Sequence, residues 1–106
     1  MKVSVVIPAH NEQERIAEVL DIVVNCSRVD EVIVVDDGSE DDTFEVAKRF
    51  SGVKIERFRF NKGKAQAMNR GVETAENPHI LFLDADLKGL KESHIEKMIY
   101  EYQGCE

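Results

Sequence analysis

The chain has no apolar run near the ~20 residues that a membrane span needs, and no Lys- or Arg-rich run. The first absence excludes a spanning helix within these 106 residues. The second, with a net charge of −7, argues against nucleic-acid binding through a broad basic surface. The two cysteines, Cys26 and Cys105, lie far apart and match no metal-ligand spacing, so free thiols are expected. The start, Met1 to Pro8, turns polar too soon for a signal peptide, and a cytoplasmic location is expected. No Gly-x-x-x-x-Gly-Lys-Ser/Thr loop occurs, which excludes a P-loop, and no Gly-x-Gly-x-x-Gly follows the first apolar run. Repeats, linkers and low-complexity segments are also missing. What remains is the composition of one globular domain, 42% hydrophobic and 33% charged.

Apolar periodicity alternates between strand and helix. Lys2 to Ile7 is a nearly continuous β-branched run, ended by Pro8. Ile16, Val19, Leu20 and Val23 then recur at helical spacing, with Asn11 and Glu14 as a capping box. Glu31 to Val35 forms the second strand. Ser39 with Asp42 marks the next helix start, and Phe44, Ala47 and Phe50 its stripe, closed at Ser51-Gly52. Val53 to Phe60 alternates apolar with charged residues, as a strand at a sheet edge does. After the turn at Asn61-Lys62-Gly63-Lys64, Ala65, Met68, Val72 and Ala75 predict the inner face of a third helix. Ile80 to Leu83 reads as a strand buried on both faces. Ser93 with Glu96 predicts a last capping box, and Ile95, Met98, Ile99 and Tyr102 the inner face of the final helix. Such alternation means parallel strands with crossover helices, an open Rossmann-like α/β sheet.

In such sheets ligands bind beyond the carboxyl ends of the strands. All four ends here carry polar residues: Pro8-Ala9-His10-Asn11-Glu12, Asp36-Asp37-Gly38-Ser39, Asn61-Lys62-Gly63-Lys64 and Asp84-Ala85-Asp86. Each has an ordinary explanation alone: Asp36 and Asp37 as helix-start acids, Gly38 as a turn, the lysines as solvated. His10 and His94 are assigned no role. Together the groups suit a nucleotide diphosphate with a divalent metal. Asp36 can accept from a base N–H, Asp84 can bond a ribose hydroxyl, and Asp86 can hold Mg²⁺ or Mn²⁺ against the phosphates.

These four segments, in this order and at these separations, resemble the inverting family 2 glycosyltransferases. Asn61-Lys62-Gly63-Lys64 with Asp84-Ala85-Asp86 looks closest to the dolichyl-phosphate mannose synthase and glucosyl-3-phosphoglycerate synthase branches. The resemblance covers essentially the whole chain. It implies a partial GT-A fold with strand order 3-2-1-4 and a cleft between strands one and four. It implies that Pro8, Ala9, Glu12 and Asp36 hold base and ribose, that Asp37 and Gly38 shape that pocket, and that Lys64 approaches the diphosphate. Asp84-Ala85-Asp86 would be the family's Asp-x-Asp motif, with Asp86 the principal metal ligand. The donor would be a UDP- or GDP-linked sugar, transferred with inversion to an acceptor hydroxyl.

Family members continue well past that motif, whereas Lys88 to Glu106 reads as a linker and one helix. Residues 1–106 are therefore expected to form a single donor-binding domain, the truncated donor half of such an enzyme, with no residue acting as general base. The uncovered flank of strand four is expected to favour a homodimer. Two other readings compete: a non-catalytic nucleotide-sugar binding module, and a signalling receiver domain. The receiver reading rests on Val34-Val35-Asp36-Asp37, but receivers carry that acidic pair on their first strand.

Overall fold

A computed structural model describes residues 1–104. Strands β1 (Val3–Ala9), β2 (Glu31–Asp36), β3 (Lys54–Arg57) and β4 (His79–Phe82) alternate with helices α1 (Ile16–Val24), α2 (Thr43–Lys48), α3 (Lys64–Thr74) and α4 (Glu92–Gly104). The four strands form one all-parallel sheet in the order β3-β2-β1-β4. This is the α/β fold and strand order expected from the sequence. No helix among the described residues is long and apolar enough to cross a membrane.

Strand alternation divides the core in two. Val3, Val5, Ile7 and Ala9 of β1 point to the side covered by α1, α2 and α4, where they meet Ile16, Val19, Leu20, Val23, Ile95 and Ile99. Val6 points to the other side, with Ile33, Val35, Phe58 and Ala67 of α3. The predicted α1 stripe is buried in full.

Helix α3 turns a different face inward from the one predicted. Its buried residues are Ala67 and Gly71, while Ala65 is exposed and Val72 is 47% exposed. The reason is the close approach of α3 to β1. A Cβ added to Gly71 would lie 2.2 Å from Val6 Cγ1. Small residues at i and i+4 admit that approach, with Ala75 packed beside them, Met68 half-buried and Val72 turned away. On α4, Ile95 and Ile99 are buried as expected, but Met98 and Tyr102 are not: they are 36% and 50% exposed. Tyr102 instead accepts or donates a 3.1 Å hydrogen bond to His79 Nδ1, with the rings edge to face.

Strand boundaries also shift. β1 continues through Pro8 to Ala9, paired with Val35 and Asp36 of β2. Ala9 O accepts from Asp37 N on the β2 side, and Val6 O accepts from Leu83 N on the β4 side. By alternation, Pro8 presents its nitrogen on the β4 side, past the end of β4, where no donor is needed. β4 is not buried on both faces. It is an edge strand among the described residues, with Phe82 38% exposed. β3 is only four residues long, because the chain leaves the sheet after Phe58 N–H bonds Asp36 O. Phe60, expected within it, is 66% exposed.

The predicted capping boxes do not form. Asn11 adopts φ 53° and α1 starts later, at Ile16. Ser39 and Asp42 give way to Asp41, whose Oδ1 accepts from Thr43 N at 3.0 Å. At α4 it is His94 Nδ1 that accepts from the Lys91 N–H.

Candidate donor-binding cleft

The carboxyl ends of the strands are bound to each other before they form a site. The loop after β1 is laced to the loop after β2. Asn11 N donates to Ser39 Oγ (2.9 Å), Glu12 N to Thr43 Oγ1 (2.8 Å), Glu40 N to Asn11 Oδ1 (2.9 Å) and Asp42 N to Gln13 Oε1 (2.8 Å). The unusual φ of Asn11 belongs to this exchange, since its amide and its side chain both engage the second loop. Glu12 is thereby fixed at the end of β1. Thr43, fully buried, was not singled out in the sequence, yet it anchors Glu12.

Asp37 joins β2 to the entrance of α3. Its carboxylate accepts from Lys62 N (2.7 Å), Gly63 N (3.0 Å) and Asn61 Nδ2 (3.2 Å). Its main chain donates to Ala9 O (2.8 Å), and its carbonyl lies 2.8 Å from His10 Nδ1. Three charge-assisted hydrogen bonds to one buried carboxylate stabilise this loop. Gly38 serves the same loop. It adopts φ +66°, and a Cβ there would lie 2.3 Å from Phe60 C and 2.4 Å from Asn61 N. Only glycine lets residues 60–61 cross so closely.

The result is a cleft of about 320 Å³ between β1 and β4, past the point where Pro8 leaves its nitrogen unpaired. That volume lies within the range of small-ligand sites. Of the predicted residues, Pro8, Ala9, Glu12, Asp37, Lys64, Asp84, Ala85 and Asp86 line it. Asp36 and Gly38 do not. Asp36 is fully buried behind the wall, where Oδ1 accepts from Ser39 N at 3.0 Å and Oδ2 has no hydrogen-bond partner. The Arg57 Nε lies 3.5 Å from that oxygen. Gly38 acts from beneath the 60–61 backbone. His10, Asn61, Gly63 and Ala67 also line the cleft and were given no role. Asn61 and Gly63 were visible as part of a turn motif, but their seat on Asp37 is a tertiary contact.

β4 sets the far wall. Leu83 and Ala85 are buried at 5% and 3%. The intervening Asp84 and Asp86 are exposed and line the cleft. Lys64, the first residue of α3, places Nζ 2.6 Å from Asp84 Oδ1. Burial pushes the Glu12 carboxyl above its usual range, and the negative charges of Asp86 and then Asp41 add to the effect against the opposing Arg15 and His10.

Four carboxylates against one lysine make this cleft a poor site for a bare diphosphate and a suitable one for a cation. Among the described residues no group of three or more His, Cys, Asp or Glu stands close enough to hold a metal alone. Asp84 and Asp86 supply hard oxygen donors. The chemistry therefore fits a Mg²⁺- or Mn²⁺-like ion that completes its shell with water and phosphate oxygens.

Comparison with known proteins agrees with this geometry. The family model described as glycosyl transferase family 2 matches residues 4–104. A 4,4'-diaponeurosporenoate glycosyltransferase of Staphylococcus aureus is 33% identical over 104 residues, which is 94% of this chain and 28% of that protein. Glucosyl-3-phosphoglycerate synthase from Mycobacterium tuberculosis, solved with Mn²⁺, UDP and glucosyl-3-phosphoglycerate, is 31% identical with a TM-score of 0.79, over 90% of this chain and 37% of that one. S. aureus TarS is 26% identical with a TM-score of 0.80, over 94% of this chain and 32% of that one. The chain thus spans roughly a third of the length of these relatives. A family match that runs from the second residue of β1 to the end of α4 leaves one conclusion: the chain belongs to glycosyl transferase family 2.

Proposed function

We propose that residues 1–106 are the donor-binding part of an inverting glycosyltransferase and take up a nucleotide-diphospho-sugar with a divalent metal. One observation carries this reading: the four strand ends, far apart in sequence, converge on one cleft with the Asp84-Ala85-Asp86 segment along its wall. The M. tuberculosis synthase, crystallised with UDP and Mn²⁺, supports it.

In this reading Pro8, Ala9 and Glu12 receive the nucleoside. Asp37 and Gly38 hold the loop that closes over it. Asp36, expected from the sequence to take the base N–H, supports the wall from behind instead: it is fully buried, outside the cleft lining, with the Arg57 Nε 3.5 Å from Oδ2. Asp84 takes a ribose hydroxyl, Lys64 turns to the diphosphate, and Ala85 keeps the wall narrow between the two acids. Asp86 is the principal metal ligand, with Asp84 beside it. The bound metal would neutralise charge on the departing diphosphate. No residue of this chain is assigned the task of activating the acceptor hydroxyl, which falls to sequence of the kind the longer relatives possess.

Calorimetric titration with UDP, UDP-glucose, GDP and GDP-mannose, each with Mn²⁺ present, tests the donor class. Saturable binding of one nucleotide series supports the reading. Absence of binding by all four to the folded chain would exclude it.

A further inference from the structure

The charge of this chain is divided unevenly. Between Lys48 and Arg70 stand eight Lys or Arg and a single acid, Glu56, a local +7 within a chain of −7 that leaves −14 on the rest. The fold brings part of this segment, Lys54 to Arg59, to the β3 edge, the end of the sheet remote from β4, while Lys64 reaches Asp84 at the cleft. Lys48 and Arg57 stand over the Phe44 ring at 5.3 and 4.3 Å, and Lys62 and Arg70 over Phe58 at 4.7 and 5.3 Å. Among the described residues Lys48, Arg59 and Lys62 have no carboxylate within ion-pair distance.

Between Arg59 and Lys62 the chain displays Phe60 with 66% of its surface in solvent. This is not slack. The main chain at 60–61 rests on Gly38, and Lys62 N and Gly63 N are tied to the Asp37 carboxylate. The aromatic ring is held outward on a fixed loop, with cations on both sides.

We propose that the β3 edge, led by Phe60, docks on a bilayer surface rich in acidic phospholipid. Basic side chains around an exposed aromatic ring suit that interface: the cations meet the headgroups and the ring enters the acyl boundary. A flat anionic surface can touch one edge of the molecule while the acidic remainder faces water. A flexible polyanion such as nucleic acid would instead meet the −14 of the rest. Lys48, Arg59, Phe60 and Lys62 lie outside the cleft lining, while the same loop continues into it at Asn61, Gly63 and Lys64.

The test is co-sedimentation of the 106-residue chain with vesicles of phosphatidylcholine alone and of phosphatidylcholine mixed with phosphatidylglycerol. Binding to the mixed vesicles only, abolished by high salt, is expected. Arg59→Glu and Lys48→Glu should each weaken it by roughly fivefold or more, and Phe60→Ser should weaken it without altering its salt dependence. Far-ultraviolet circular dichroism identifies folded variants, and Lys48, on the exposed last turn of α2, serves if Arg59→Glu fails to fold. Equal binding to both vesicle types, unchanged binding by the folded variants, or retention on heparin without vesicle binding would overturn the proposal.

Discussion

Lys64 Nζ and Asp84 Oδ1 stand 2.6 Å apart across the mouth of the cleft, joining the first turn of α3 to the end of β4. Both side chains are more than half exposed, at 63% and 52%. Water screens such a pair, and its contribution to folding is about 0–1 kcal/mol. Its consequence lies in ligand binding, because the same two groups are the ones assigned to the donor. Lys64→Met is expected to leave the urea midpoint nearly unchanged and to weaken UDP affinity about tenfold, the loss of one charge-assisted contact to phosphate. Equilibrium unfolding and calorimetry on the same preparation check both halves. A variant that binds UDP as well as the parent would remove Lys64 from the site.

Gly71 and Val6 set the distance between α3 and the sheet. Glycine-to-alanine in a helix interior ordinarily stabilises by up to ~1 kcal/mol. Here the added methyl would sit 2.2 Å from Val6 Cγ1, so overpacking decides the sign. Gly71→Ala is expected to destabilise by about 1–3 kcal/mol. Combining it with Val6→Ala should cost less than the sum of the two single changes, because the cavity receives the methyl. Urea denaturation of the four proteins measures this coupling. Strict additivity would mean that the two residues do not meet.

Glu31 supports the other end of the sheet. Its burial favours the protonated form, but hydrogen bonds from Lys54, the Ser4 hydroxyl and the Glu76 amide outweigh that and hold its carboxyl below the ordinary value of 4.5. The folded state therefore binds this proton less readily than the unfolded chain. The stabilisation is complete above the unfolded value and is lost as pH falls through the lower, folded one. Glu31→Gln should reduce stability at pH 7 by about 1–2 kcal/mol, through the accepted hydrogen bonds alone. The gap between variant and parent should narrow below pH 4.5. Thermal denaturation across roughly pH 3 to 7, the range in which carboxylates titrate, checks this, and a gap independent of pH would contradict it.

The rim of the sheet was legible because strands end where apolar runs meet acids, turns and glycine, and those transitions are local. Asp84 and Asp86 could be placed by counting from Leu83. What could not be read depends on distance between elements. The face of α3 was assigned to Ala65, Met68, Val72 and Ala75 by hydrophobicity, but close packing on Val6 selects for small size, so Ala67 and Gly71 turn inward. Asn11 had the spacing of a capping residue, but the neighbouring loop offers Ser39 and Glu40 as partners and draws it out of the helix. Asp36 and Asp37 are adjacent and chemically identical. Only the crossing of residues 60–63 over the end of β2 shows that Asp37 faces the cleft loop and Asp36 the interior.

If Asp86 and its neighbours hold a nucleotide diphosphate through a divalent metal, titration of UDP with and without Mn²⁺, into the parent chain and into Asp86→Ala, must show it. The expected result is Mn²⁺-dependent binding by the parent and an affinity at least about tenfold weaker, ~1.4 kcal/mol, in the folded variant. Binding that is indifferent to Mn²⁺, or equal in the two proteins, would contradict it.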